Sequence, residues 1–172
     1  MSLTSSRLVD MKKLLLMRHA KSSWKDAVLP DHQRPLNRRG KRDAPRMGKY
    51  LREQGIELDV ILCSTAKRAR ATAKGFLREY TFEGNVFHID DLYHASYETF
   101  IALLNQLPDN VDTAMIIGHN PGMDTFLEMI CDEYEHMPTA SVAYIKFPVE
   151  RWAELSGITS GELMNFWMPR EI

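Results

Sequence analysis

Lys13-Leu-Leu-Leu-Met-Arg-His-Ala-Lys-Ser22 is the stretch on which the reading of this chain turns. Its first five residues (KLLLM) carry the unbroken apolar run Leu14 to Met17, as expected of a short strand buried on both faces of a parallel sheet. Arg18 and His19 follow at once. The same order recurs twice. Asp59-Val-Ile-Leu-Cys63 leads into Ser64-Thr-Ala-Lys-Arg68, and Thr113 to Ile117 leads into Gly118-His119-Asn120-Pro121-Gly122. A shorter strand is expected at Val86 to Ile89.

Helical spacing fills the intervals. Residues 38–54 carry Met47, Tyr50 and Leu51 on one stripe, and Gly55 ends the run. Ser64 or Thr65 is placed to N-cap a helix reaching about Tyr80. Residues 96–107 align Phe100, Leu103, Leu104 and Leu107 before Pro108. Asn120 reads as an N-cap with Pro121 in the first helical position, for a helix to about Cys131. Residues 20–36 read as a polar loop. Beyond Pro138, residues 141–147, 150–155 and 162–168 read as three strands of an antiparallel meander at one edge. The alternation of strand and helix predicts an α/β fold in three layers, an open, mostly parallel sheet with helices on both faces.

The chain has 172 residues, which fits one domain spanning 11–172. Residues 1–10 precede a second methionine, Met11, and read as a leader or expression scar outside the fold. Apolar residues make up 44% and charged residues 26%, ordinary for a globular chain and unlike a disordered one. No apolar run approaches the roughly 18 residues that cross a bilayer, so no membrane partner is expected. Cys63 and Cys131 make neither a disulfide framework nor a metal knuckle, and a reducing cytoplasm fits them. The net charge of -1 conceals an asymmetry: residues 1–80 hold 19 Lys+Arg and 8 Asp+Glu, and the remainder hold 3 and 15. Such a basic half suits either an anionic ligand or neutralisation by the acidic half.

Ligands of open α/β sheets lie beyond the carboxyl ends of the strands. Three strand ends therefore bring two arginines and two histidines toward one edge. Arginine offers a permanent, planar charge suited to phosphate, and the following helix N-termini add donors. A histidine there serves either as a neutral nucleophile toward phosphorus or as a donor to the transferring group. Positive surroundings would keep the nucleophile neutral near neutral pH.

The residues carry a resemblance. Arg18-His19-Ala20 resembles the Arg-His-Gly signature of the histidine phosphatase, or phosphoglycerate mutase-like, superfamily. Ser64 to Thr72 resembles its Ser-x-x-x-Arg-Ala-x-x-Thr motif, and Gly118-His119 its third. Arg34-Pro35-Leu36-Asn37-x-x-Gly40 is similar to the SixA-like branch of phosphohistidine phosphatases. The resemblance implies His19 as nucleophile, and Arg18 and Arg68 on the phosphoryl oxygens. It implies His119 as donor and charge, and Arg34 as a further phosphate contact, with Ser22 and Asn120 beside them. It implies no metal or organic cofactor, and a substrate that is a phosphorylated protein (phosphohistidine) or a small phosphorylated molecule. Oligomeric state is left open.

Ala20 replaces the signature glycine. Where many relatives carry a glutamate acid, Leu92-Tyr93 is followed by His94, the only candidate acid at that position. An alkoxide leaving group needs a proton donor and an imidazole needs less help, so the substitution favours phosphohistidine over phosphate esters. Asp26, Asp90, Asp91 and Glu98 remain as alternative donors, although each reads first as a surface carboxylate. His32, His88 and His136 have no metal-ligand spacing, Trp24 is placed to line the site's mouth, and the basic run 34–52 lacks, apart from Tyr50, the interleaved aromatics of a nucleic-acid surface.

Overall fold

The computed structural model describes residues 11–172, so the leader expected at 1–10 lies outside the described residues. Six strands form one sheet: β1 (Lys12–Arg18), β2 (Val60–Ser64), β3 (Asn85–Ile89), β4 (Thr113–Gly118), β5 (Val142–Phe147) and β6 (Glu162–Trp167), in the spatial order β3-β2-β4-β1-β5-β6. The first four run parallel. β5 and β6 add antiparallel to the β1 side, as the edge reading expects.

Period-two alternation divides the core. Leu14, Leu16, Leu62 and Ile116 face α3 (Tyr97–Asn105) and α4 (Gly122–Cys131). Leu15, Met17, Cys63 and Ile117 face α1 (Arg38–Glu53) and α2 (Lys67–Leu77). Leu14 to Met17 are wholly buried, which is why this strand reads as a continuous apolar run.

Register places the site. Ile117 of β4 pairs with Met17 of β1 on one side and Cys63 of β2 on the other. The three strands therefore end level, and the residues just past them share one edge. α1 is capped by Asn37, whose side chain accepts from Gly40 N at 2.9 Å. Gly40 lies so close to the loop after β1 that a Cβ there would stand 2.2 Å from Lys21 O. Its missing side chain lets α1 press the loop into place.

Three expectations are corrected. Residues 150–155 are not a strand; Trp152–Glu154 form a 3-10 turn. Trp152 is wholly buried and donates its indole N–H to Val111 O at 2.7 Å. Asn105 Nδ2 binds the carbonyls of Trp152 and Leu155, so the backbone is satisfied without a sheet partner. Neither Ser64 nor Thr65 caps α2; the N-cap is Ala66, with no side-chain bond. Both hydroxyls turn toward histidines instead. Asn120 is not the cap of α4 either, since the helix begins at Gly122 after Pro121 and the Asn120 amide binds Met137 O. Among the described residues no helix is long and apolar enough to cross a membrane.

Candidate active site

His19 leaves the end of β1 and is buried. Its Nδ1 lies 2.8 Å from Ala20 O. A carbonyl can only accept, so Nδ1 carries the proton and Nε2 keeps its lone pair. Arg68, from the first turn of α2, donates its Nε–H to that Nε2 at 3.2 Å, which agrees with the same tautomer. Ala20 N donates to Thr72 Oγ1, and Thr72 Oγ1 donates to Arg68 O, so one threonine ties the loop after β1 to α2. Ala20 is wholly buried, which accounts for the small residue at that place.

His119 follows β4. Its ring centroid is 5.0 Å from that of His19, and its Nε2 is 2.7 Å from Ser64 Oγ at the end of β2. Arg18 points NH1 at Met137 O, 2.8 Å away, where the Asn120 amide also donates at 3.3 Å. Arg18 Nε, His119 Nδ1 and Asn120 Oδ1 are buried without a hydrogen-bond partner. Buried polar groups are nearly always paired, so these atoms leave bonding capacity for a polar ligand.

Arg34 is buried although it comes from the loop. It donates to Ser23 O through Nε, to Asp31 Oδ1 through NH1, and to Ser22 Oγ through NH2 at 2.5 Å. Ser22 thus orients Arg34. Trp24 lies over the guanidinium, its ring centroid 3.2 Å from Cζ, and is 72% exposed at the mouth.

Asp31 was not among the sequence candidates. Its Oδ1 accepts from Arg34, and its Oδ2 accepts from Arg68 at 3.0 Å and from the Tyr93 hydroxyl at 2.6 Å. Its main-chain oxygen accepts from Arg68 NH1 at 2.7 Å. The sequence signal was available, because Asp31 stands three residues before Arg34 in a loop expected to hold positive charge. Tyr93, Ser64 and Thr72 were likewise missed as partners of the charged groups.

His94 is exposed, with φ of 59°, and its ring packs 3.9 Å from that of Tyr93. The Tyr93 ring centroid in turn lies 5.5 Å from that of His119, the two rings nearly perpendicular. His94 therefore stands at the rim, one ring removed from the histidine pair. Asp26, Asp90, Asp91 and Glu98 are exposed.

Electrostatics follow from this packing. Burial lowers the His19 pKa to about 4; the Ala20 carbonyl opposes this, and Arg68, Arg18 and Arg34 reinforce it. Neutrality at physiological pH was expected, but burial outweighs the arginines as its cause. Burial, then His19 and Arg68, lowers His119 to about 3. His119 is therefore a neutral donor or acceptor in the free site rather than the charge that the resemblance implied. The Tyr93 hydroxyl, followed by Arg68 and Arg34, holds Asp31 well below the usual carboxylate range. It stays ionised and has no proton to donate. Among the described residues no cluster of three His, Cys, Asp or Glu is arranged to hold a metal ion.

The arrangement presents an unprotonated imidazole nitrogen between buried guanidiniums, with a second imidazole opposite. That is the chemistry of a nucleophile facing a phosphoryl group. Comparison with known proteins bears on family and fold. A sequence model of the histidine phosphatase superfamily, branch 1, matches residues 14–99. An uncharacterized protein of Mycobacterium tuberculosis is 33% identical over 168 residues, 90% of this chain and all of that one. A SixA from Nakamurella multipartitia, proposed to be a phosphohistidine phosphatase, superposes with a TM-score of 0.81 at 28% identity, over 92% of this chain and 96% of that one. Its counterpart from Agrobacterium tumefaciens, likewise proposed, gives 0.79 at 27%, over 92% and 98%. Sequence motifs, sheet order and site together place this chain in the histidine phosphatase superfamily, in its SixA-like branch.

Proposed function

We propose that the protein is a phosphatase that hydrolyses phosphohistidine carried on a protein. The observation that carries this reading is a neutral His19 with its Nε2 lone pair set among Arg18, Arg34 and Arg68, beside Asp31, an exposed carboxylate that its hydrogen bonds hold as an anion.

His19 Nε2 attacks phosphorus as the bond from phosphorus to the substrate imidazole breaks. The electron pair returns to that ring nitrogen, and the substrate leaves as neutral imidazole because its other ring nitrogen already carries a proton, so no enzyme acid has to protonate the leaving atom. Arg18, Arg34 and Arg68 hold the equatorial oxygens, where charge accumulates, and His119 donates from the opposite side. Water then attacks the phosphoryl group on His19, releasing phosphate and restoring the imidazole. An alkoxide leaving group would need a proton from a positioned acid. Asp31 is ionised, and His94 stands at the rim. The scarcity of donors supports a phosphoramidate over a phosphate ester as substrate. A SixA-like fold supports the same assignment.

The test is phosphate release from a histidine-phosphorylated carrier protein in EDTA, by wild type and His19→Ala, with a sugar phosphate run beside it. Release from the carrier by wild type alone is expected. Release from the sugar phosphate and none from the carrier would overturn the substrate assignment.

A further inference from the structure

The two helical layers differ sharply in charge. α3 and α4 contain no lysine or arginine, and α2 contains no acid. On α2 and its C-cap, Lys67, Arg70, Lys74 and Arg78 are exposed at spacings of three and four residues, which align along one side of a helix. Among the described residues none of the four side chains forms an ion pair or a side-chain hydrogen bond. Three of the arginines of α1 are different. Arg39 and Arg42 meet Asp43, and Arg46 meets the Ile172 carbonyl.

Three adjoining clefts follow the α2 stripe. One of about 520 Å³ includes His32, Thr65, Lys67, Arg70 and Lys74 in its wall. The others, of about 340 and 280 Å³, continue past Lys74 to Arg78, with Lys41 of α1 joining the last. No carboxylate lines any of them, and neither does a phenylalanine, tyrosine or tryptophan. Like charges held this close repel one another, so an anionic partner would relieve the cost.

The largest cleft lies beside the catalytic pocket, although none of His19, Arg34, Arg68 or His119 lines it. His32 and Thr65 are hydrogen bonded at 3.1 Å in its wall. His32 follows Asp31, which binds Arg34 and Arg68, and Thr65 follows Ser64, which binds His119. From there the stripe extends about 16 Å along α2, at 1.5 Å per residue.

Resting on the phosphohistidine reading, we infer that the α2 face docks an acidic segment of the phosphorylated protein, beside the phosphohistidine that enters the pocket. A free phosphohistidine would not reach it. Single-stranded nucleic acid would be expected to stack on aromatic side chains, which these clefts lack.

Two synthetic phosphohistidine peptides of equal length test this, one flanked by glutamates and the other by glutamines. Phosphate release gives kcat/KM for each, and fluorescence anisotropy gives the affinity of the unphosphorylated glutamate peptide. Wild type should favour the glutamate peptide by about tenfold or more at low ionic strength, and salt should erode the preference. In Arg70→Glu/Lys74→Glu/Arg78→Glu, checked for folding by circular dichroism, the preference should vanish and anisotropy should show matching loss of binding. Equal rates on both peptides in wild type, or a preference that survives in the variant, would overturn the docking role. Binding of a short RNA by wild type without binding of the glutamate peptide would do so too. Hydrolysis of neither peptide would overturn the phosphohistidine reading instead, and anisotropy would still judge the docking face.

Discussion

Asp31 decides how the two loop-facing guanidiniums are presented. It fixes Arg68 through its carboxylate and its main-chain oxygen, and Arg34 through the other carboxylate oxygen. Preorganised donors are worth more than mobile ones in phosphoryl transfer. Asp31→Ala should lower kcat on a phosphohistidine substrate by about 10- to 100-fold, measured by steady-state phosphate release; a kcat within about twofold of wild type would contradict the positioning role. His19 governs the acid side of the pH profile. With its pKa lowered to about 4 by burial, kcat/KM should stay level from neutral pH down to about pH 5 and fall below that, as the lone pair is lost. An acid limb centred near 6.5 instead would mean that the imidazole is not desolvated. At this scale the sequence announced the four residues just past strand ends and Arg34, because each stands in a motif. It did not announce Asp31 or Tyr93, whose roles arise from loops that meet only in the fold.

Elements set the precision of that site. β1, β2 and β4 end level because their registers agree at Ile117, and α1 presses on the loop after β1 through Gly40. Gly40→Ala should cost about 1–3 kcal/mol by overpacking against backbone that has no room to move, with a fall in kcat as Lys21 and its neighbours shift; thermal unfolding and phosphate release measure the two effects. Trp152→Ala should cost about 3–5 kcal/mol with little change in kcat, because Trp152 plugs the α3 side of the sheet, away from the catalytic edge. The strands and helices were legible where the hydrophobic period was plain, as in Leu14 to Met17. Residues 150–155 misled because Trp152 and Leu155 look like strand residues, while their carbonyls are satisfied by Asn105, far away in sequence. The capping assignments failed for a related reason: the hydroxyls of Ser64 and Thr65 serve histidines before helices.

The molecule as a whole trades acid stability for its reactive centre. Two histidines are buried neutral, at about 4 and about 3 rather than 6.5. The unfolded chain binds protons more readily in that interval, so stability should fall as pH drops from about 6.5 toward 4 and below. The melting temperature measured across that range should decline, and it should decline less in His19→Gln/His119→Gln. A slope unchanged by the double substitution would place the sensitivity elsewhere. The charge asymmetry along the sequence becomes an asymmetry of faces: the basic half builds the α1 and α2 layer and the acidic half builds the α3 and α4 layer. The sequence showed the imbalance, but only the fold shows that the α2 charges go unpaired beside the pocket.

On the proposed reading, His19 Nε2 takes the phosphoryl group. Rapid acid-free quenching of the enzyme with a radiolabelled phosphohistidine protein, followed by peptide mapping under alkaline conditions, tests it most directly. Label on the peptide containing His19, alkali-stable, acid-labile and missing in His19→Ala, is the predicted result. Phosphate release at the wild-type rate with no label on His19, or turnover that persists in His19→Ala, would contradict it.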